Sequence, residues 1–217
     1  MRPPSQESFV MLIVSSPSGA GKTTLCGRIR AEMPHLSFSV SHTTRAPRPN
    51  EENGREYHFA TEDRFEEMIS AGAFAEWAKV HGHYYGTALS EIAEARERDA
   101  IDGIIFDIDF QGARQIRAKF PEAVSVFILP PSLEELERRL RGRGTEDEAT
   151  TLRRLDNAKR EIAHYGLFDY IIVNDEIDRA LLDMQSIVLA ERCRRARHAR
   201  RCEQLLMESG ANRTGGT

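Results

Sequence analysis

Six apolar residues in a row, Phe9-Val-Met-Leu-Ile-Val14, run almost directly into Ser16-Pro-Ser-Gly-Ala-Gly-Lys-Thr23. A short continuous apolar run bounded by turn residues reads as a strand buried on both faces, as in a helix-covered parallel sheet. The segment after it follows the phosphate-binding pattern G-x-x-x-x-G-K-[ST], except that Ser16 stands where the first Gly is expected. Gly19 and Gly21 let the backbone turn successive N–H groups toward one anion, and the helix N-terminus adds partial positive charge. In such a loop Lys22 reaches the β- and γ-phosphates and the Thr23 hydroxyl ligates Mg²⁺. The loop implies a nucleoside triphosphate; taken alone it fits a GTPase, an ATPase or a small-molecule kinase.

The rest of the chain alternates strand and helix patterns, which argues for an α/β fold with a parallel sheet. Gly103 to Asp109 reads as a second buried strand that ends in two carboxylates, Asp107 and Asp109. A carboxylate at the carboxyl edge of such a sheet sits near a nucleotide-bound Mg²⁺. Thr61 reads as a helix N-cap and Ser132-Leu-Glu-Glu135 as a capping box. Residues 36–98 depart from the alternation and read as an inserted mixed α/β part between two core segments, 9–35 and 100–205. Residues 1–8 and 206–217 read as flexible ends. Arg139, Arg143 and Arg154 surround a Gly-Arg-Gly break at about 139–155, and this reads as a mobile, Arg-rich lid. Phosphoryl transfer needs such cations, and needs water kept out.

Composition excludes several classes. No run approaches ~18 apolar residues, so no membrane-spanning helix is expected, and Met1 to Ser8 lacks the apolar stretch of a secretory signal. The three cysteines, Cys26, Cys193 and Cys202, have no metal-ligand spacing and fit a reducing, cytoplasmic setting. His81 and His83 flank Gly82 and read as a polar hairpin turn. The net charge of −4 does not favour nucleic acid as a partner, although residues 191–202 hold six Arg and one Glu. A helix beginning near Ile177 is expected to run unbroken into that cluster, as a solvated end favoured by the helix dipole. The pattern leaves homo-oligomerisation open.

The chain resembles the bacterial-type guanylate kinases, which are ATP:GMP phosphotransferases. The likeness is carried by the loop at 16–23, VSHTTRxPRPxExxGxxYxF at 40–59, GxFxEWAxVxGxYYGT at 72–87, FDIDxQGA at 106–113 and RLRGRGT at 139–145. It implies a P-loop kinase core, an inserted GMP-binding part and an Arg-rich lid. On the ATP side it implies Ser16, Pro17, Ser18, Gly19, Ala20, Gly21, Lys22, Thr23 and Thr24, with Asn174 near the adenosine. On the GMP side it implies Arg45, Arg48, Tyr57 and Tyr85 on the phosphate, with Glu51 in the same loop. Glu76 then reads guanine, aided by Ser41, Thr87 and Asp109.

Lys22, Arg45, Arg139, Arg143 and Arg154 are the residues so implied for catalysis, and Thr23 and Asp107 for Mg²⁺, partly through water. The expected reaction moves the ATP γ-phosphoryl to GMP or dGMP. Two rival readings are a P-loop kinase with another acceptor, such as AMP or a ribose bisphosphate, and a phosphopeptide-binding module built on the same fold. The Glu76 block speaks against the first and the intact Lys22 and lid arginines against the second.

Overall fold

The computed structural model describes residues 9–80, 82–142 and 148–211. The chain starts with β1 (Val10–Ser15), α1 (Lys22–Glu32) and β2 (Leu36–Phe38). It continues with β3 (His42–Thr43), β4 (His58–Phe59), α2 (Glu62–Ser70), β5 (Phe74–Val80), β6 (His83–Ala88) and α3 (Leu89–Glu97). The remainder comprises β7 (Gly103–Asp107), α4 (Phe110–Lys119), β8 (Val124–Leu129), α5 (Leu133–Arg141), α6 (Glu148–Ile162), β9 (Tyr170–Val173), α7 (Ile177–Arg192) and α8 (Arg195–Ala211).

Two sheets result. The first has the order β2-β7-β1-β8-β9 with every pairing parallel. Strand β1 lies at its centre, which explains six consecutive buried residues. Side-chain alternation divides them between two cores. Val10, Leu12 and Val14 pack with Leu25 and Ile29 of α1 and Met184 of α7. Met11 and Ile13 pack on the opposite face with Ile92 of α3, Phe106 of β7 and Ile116 of α4. From β1 the chain passes through α1 to β2 on one side, and from β7 it crosses through α4 to β8 on the other, so the crevice at the strands' carboxyl ends is where a ligand fits an open α/β sheet. The second sheet, β4-β3-β6-β5, is mixed: β3 pairs parallel with β4 and antiparallel with β6.

Four expectations need correction. The inserted part is narrower than 36–98, because β2 is an edge strand of the parallel sheet and Ile92 and Ala95 of α3 sit in that sheet's core. The helix from Ile177 does not run unbroken into the arginine cluster: it stops at Arg192, and α8 begins at Arg195. Nor is the cluster simply a solvated end. Arg197 is 9% exposed and donates to the carbonyls of Phe9 (2.7 Å) and Glu122 (3.2 Å). Arg192 pairs with Asp102 at 2.8 Å. Arg194 pairs with Glu191, a buried carboxylate that also accepts from the Tyr170 hydroxyl at 2.6 Å. The break lets α8 turn back so that these cations meet carbonyls and carboxylates of the core. Helix α8 reaches Ala211, so residues 206–211, expected as part of a flexible end, are helical. Among the described residues no helix is long and apolar enough to cross a membrane.

Removing the Arg197 guanidinium leaves the carbonyl of buried Phe9 without its donor. Arg197→Ala is therefore expected to cost about 2 kcal/mol, or roughly 4–8 °C of melting temperature, while exposed Arg201→Ala shifts it by about 1–2 °C at most. Thermal melting of the two variants checks this.

Candidate active site

The loop between β1 and α1 is a left-handed turn at two glycines, Gly19 (φ 92°) and Gly21 (φ 95°). Only Gly enters this region at little cost. Space demands it as well: a Cβ on Gly19 would lie 2.9 Å from Leu136 Cδ1, and one on Gly21 would strike the Asn174 carboxamide. Leu136 and Leu140 of α5 pack with Leu155 and Ala158 of α6, so the arms on both sides of 143–147 form a small core behind the loop.

Polar groups brace the loop from the same side. Asn174 is 5% exposed, and its Nδ2 donates to the Ala20 carbonyl at 2.8 Å. Arg139 donates to the Asn174 carbonyl at 3.0 Å and to the Ala20 carbonyl at 3.4 Å. Its Nε donates to Glu135 at 2.7 Å. Arg138 and then Arg139 hold the Glu135 carboxyl down at about 2. Ser132 caps α5 by accepting from the Glu135 N–H, but the Glu135 carboxylate serves these arginines and so does not complete the expected capping box. At the outer lip Arg154 donates to Ser18 Oγ at 2.8 Å, and the Ser18 N–H donates to Glu161 at 3.2 Å. The Lys22 ammonium pairs with Asp107 at the end of β7.

Beyond Lys22 and Asp107 opens a cavity of about 590 Å³, whose lining includes Thr23, Ser41, Tyr57, Glu76, Tyr85 and Asp109. One end is basic. Arg45 Nη2 donates to both Glu51 carboxylate oxygens (2.8 and 2.9 Å), and the Arg48 N–H donates to the same carboxylate at 2.9 Å. The Arg48 bond, followed by those of Arg45, depresses the Glu51 pKa against the opposing effect of burial. The Arg45 guanidinium lies 5.4 Å from the centre of the Tyr57 ring, and that ring meets Tyr85 edge-on at 6.0 Å.

The other end is a buried carboxylate. In β5 the pairing with β6 passes from Phe74–Ala88 to Glu76–Thr87, leaving Ala75 as a bulge. Ala75 turns into the core of the parallel sheet, and Glu76 lines the cavity. A bulge of this kind re-aims a side chain. Glu76 is 4% exposed and accepts from the Thr87 hydroxyl at 2.7 Å; the Thr87 oxygen lies 3.4 Å from Ser41 Oγ. Burial pushes the Glu76 pKa up to about 7, with the Thr87 bonds opposing and Asp109 adding to the rise.

The structure thus brings Ser41, Arg48, Tyr57, Glu76, Tyr85, Asp107 and Asp109 to one cavity with Lys22 and Thr23. Two placements differ from the expected contacts. Glu51 holds the Arg45 guanidinium and the Arg48 backbone N–H, a role that leaves its carboxylate occupied. Asn174 lies behind the loop, bonded to its backbone. Asp109 lines the cavity and also caps α4, accepting from the N–H groups of Gln111 (3.0 Å) and Gly112 (2.9 Å). Arg143 lies outside the described residues, as does His81. Glu135 and Glu161 brace the site although neither belongs to the expected set of site residues. The i, i+4 spacing of Glu135 and Arg139 was the available signal for the first, whereas Glu161 meets Ser18 only through tertiary packing.

A glycine-braced anion loop facing an Arg-and-Tyr pocket, on a five-stranded parallel sheet, defines a P-loop kinase with a phosphorylated acceptor. Comparison with known proteins narrows the class. The guanylate kinase family model matches residues 9–191. The guanylate kinase of Syntrophotalea carbinolica is 50% identical over 188 residues, 87% of this chain and 89% of that one. That of Geobacter metallireducens is 51% identical over 187 residues, 85% and 90% of the two chains. The crystal structure of guanylate kinase from Anaplasma phagocytophilum superposes with a TM-score of 0.70 at 33% identity, covering 87% of this chain and 89% of that one. The chain belongs to the guanylate kinase family, nucleoside monophosphate kinases that transfer a phosphoryl group from ATP to GMP.

A carboxyl whose pKa is raised by folding binds its proton more tightly in the native chain than in the unfolded one. Burial of Glu76 therefore costs little at low pH and its full amount above about pH 7, on the order of 3 kcal/mol for a rise from 4.5. Glu76→Gln is expected to melt higher than the native protein near pH 8, with the gap closing as pH falls toward about 5. Melting curves across that range test the sign.

Proposed function

We propose that the cavity holds GMP with its guanine on Glu76 and its phosphate on Arg45, Arg48, Tyr57 and Tyr85, while residues 16–24 hold the ATP phosphates. The buried Glu76 carboxylate is the observation that carries this reading. Guanine presents N1–H and N2–H₂ side by side, and a carboxylate accepts from both. Adenine presents an unprotonated N1 and no amino group there, leaving the carboxylate buried and unpaired at a cost of about 1–3 kcal/mol or more. Ser41, Thr87 and Asp109 complete the base pocket. Arginine forks suit a phosphate dianion, and Glu51 fixes Arg45 in place before substrate arrives.

The reaction is an in-line transfer. A GMP phosphate oxygen is anionic near neutral pH, so attack on the γ-phosphorus needs no general base. Catalysis is then positioning and charge stabilisation by Lys22 and by the lid arginines Arg139, Arg143 and Arg154. Arg139 and Arg154 touch the loop, at the Ala20 carbonyl and Ser18 Oγ, which supports their reaching phosphates held there. The Thr23 hydroxyl and the Asp107 carboxylate, hard oxygen donors at the end of the loop and of β7, suit Mg²⁺. Bound there, Mg²⁺ would neutralise charge on the ATP phosphates. Three free thiols fit a cytoplasmic setting.

An ADP-release assay with GMP, AMP and Mg-ATP tests the substrate reading. Turnover with GMP and little with AMP is expected; equal use of AMP would contradict it. Lys22→Ala is expected to lower kcat roughly 10²- to 10³-fold while leaving the fold intact by circular dichroism. Because guanine needs the ionised carboxylate, the KM for GMP should rise up to about tenfold per unit as pH falls below about 7, and the component due to Glu76 should vanish in Glu76→Gln.

A further inference from the structure

Strand β5 is an outer strand of the mixed sheet: β6 pairs with one side of it, and the other side meets α4. An unpaired strand edge carries backbone donors and acceptors that need partners. Helix α4 supplies them from one face. The Gln115 carboxamide donates to the Trp77 carbonyl at 2.7 Å and accepts from the Trp77 N–H at 3.2 Å. It therefore bonds both backbone groups of one residue, as a neighbouring strand would. One turn on, Lys119 Nζ donates to the Phe74 carbonyl at 2.6 Å. These two contacts bracket the bulge at Ala75 and the carboxylate-bearing Glu76. One turn back on the same face, Gly112 lies so close that a Cβ there would stand 2.6 Å from Glu76 Oε2.

We propose that Gln115 is a positioning residue for guanine selectivity, locking Trp77 so that the bulge aims the Glu76 carboxylate at the base, with Gly112 leaving room for it. The inference rests on Glu76 being the guanine acceptor. Its physical basis is that the base pocket lies on the inserted sheet, yet its selective group is registered against a core helix. Thr87, across β5 and β6, sets the hydroxyl on one side of the carboxylate; α4 sets the backbone on the other. Without the carboxamide, the outer side of β5 at Trp77 would lose both of its bonds to α4, and small displacements of a reacting or binding group lose much of its effect.

Gln115→Met tests this, since it keeps side-chain length and removes both bonds. The expected result is a rise of about tenfold in the KM for GMP, with kcat at saturating GMP and the KM for ATP within about twofold of native. The kcat/KM preference for GMP over IMP, which lacks the 2-amino group, should shrink as well. Gly112→Ala should act in the same direction with both Trp77 bonds retained. Glu76→Gln is measured in parallel. If Glu76→Gln itself keeps the native KM for GMP, the reading of Glu76 falls, and this inference with it. If Glu76→Gln is impaired but Gln115→Met keeps the native KM and GMP-over-IMP preference, the positioning role alone is overturned. Equal losses toward ATP and GMP in Gln115→Met would mean general damage and also overturn it.

Discussion

A carboxylate buried to 4% exposure and bonded to the Thr87 hydroxyl is an unstable arrangement unless something supplies more donors. Glu76 is in that position, and much of the cleft is built around it. The bulge in β5 turns it toward the cavity, and its neighbour Ala75 is driven into the core of the other sheet. The close approach of Gly112 leaves no room for a larger residue beside it. In the proposed reading the energetic consequence is selectivity: a base with two adjacent donors supplies the missing bonds, and one without them does not. Binding free energy and protonation are thereby coupled at one atom pair.

The opposite end of the crevice follows the reverse logic. There the chain concentrates donors and cations and satisfies them with its own groups. Asn174 and Arg139 hold the Ala20 carbonyl from behind, and at the lip Glu161 accepts from the Ser18 N–H. Glu51 holds Arg45 through both carboxylate oxygens, and Lys22 pairs with Asp107. These partners reduce the disorder that free arginine and lysine side chains would have to lose on binding. Two anionic substrates can then be brought together between cations that are already oriented, which is the main requirement of phosphoryl transfer.

The features legible in the sequence were the local ones. Strand β1 and the loop after it carry their structure in adjacent residues: an apolar run, two glycines, a lysine. Thr61 also acted as expected, its hydroxyl accepting from the Arg64 N–H at 3.2 Å. The failures share a different cause. Three residues of β2 give too short a pattern to assign them to one sheet or the other, and only pairing with β7 decides. The stop between α7 and α8 has neither Gly nor Pro. It comes from distant partners, the Phe9 carbonyl for Arg197 and Tyr170 for Glu191. Glu76 looks in isolation like a solvated strand residue; its reading came from family resemblance, while its burial comes from a bulge that no local signal announces.

Proton release on binding tests the central claim most directly. With Glu76 titrating at about 7, roughly half the empty sites hold a proton there at pH 7, and a guanine that needs the carboxylate must displace it. Calorimetric titration of GMP in two buffers of different ionisation enthalpy, on the native protein and on Glu76→Gln, measures that proton after subtracting the phosphate's own contribution. The account expects the native protein to release about half a proton more per GMP bound than Glu76→Gln. Identical proton release by the two proteins would contradict it.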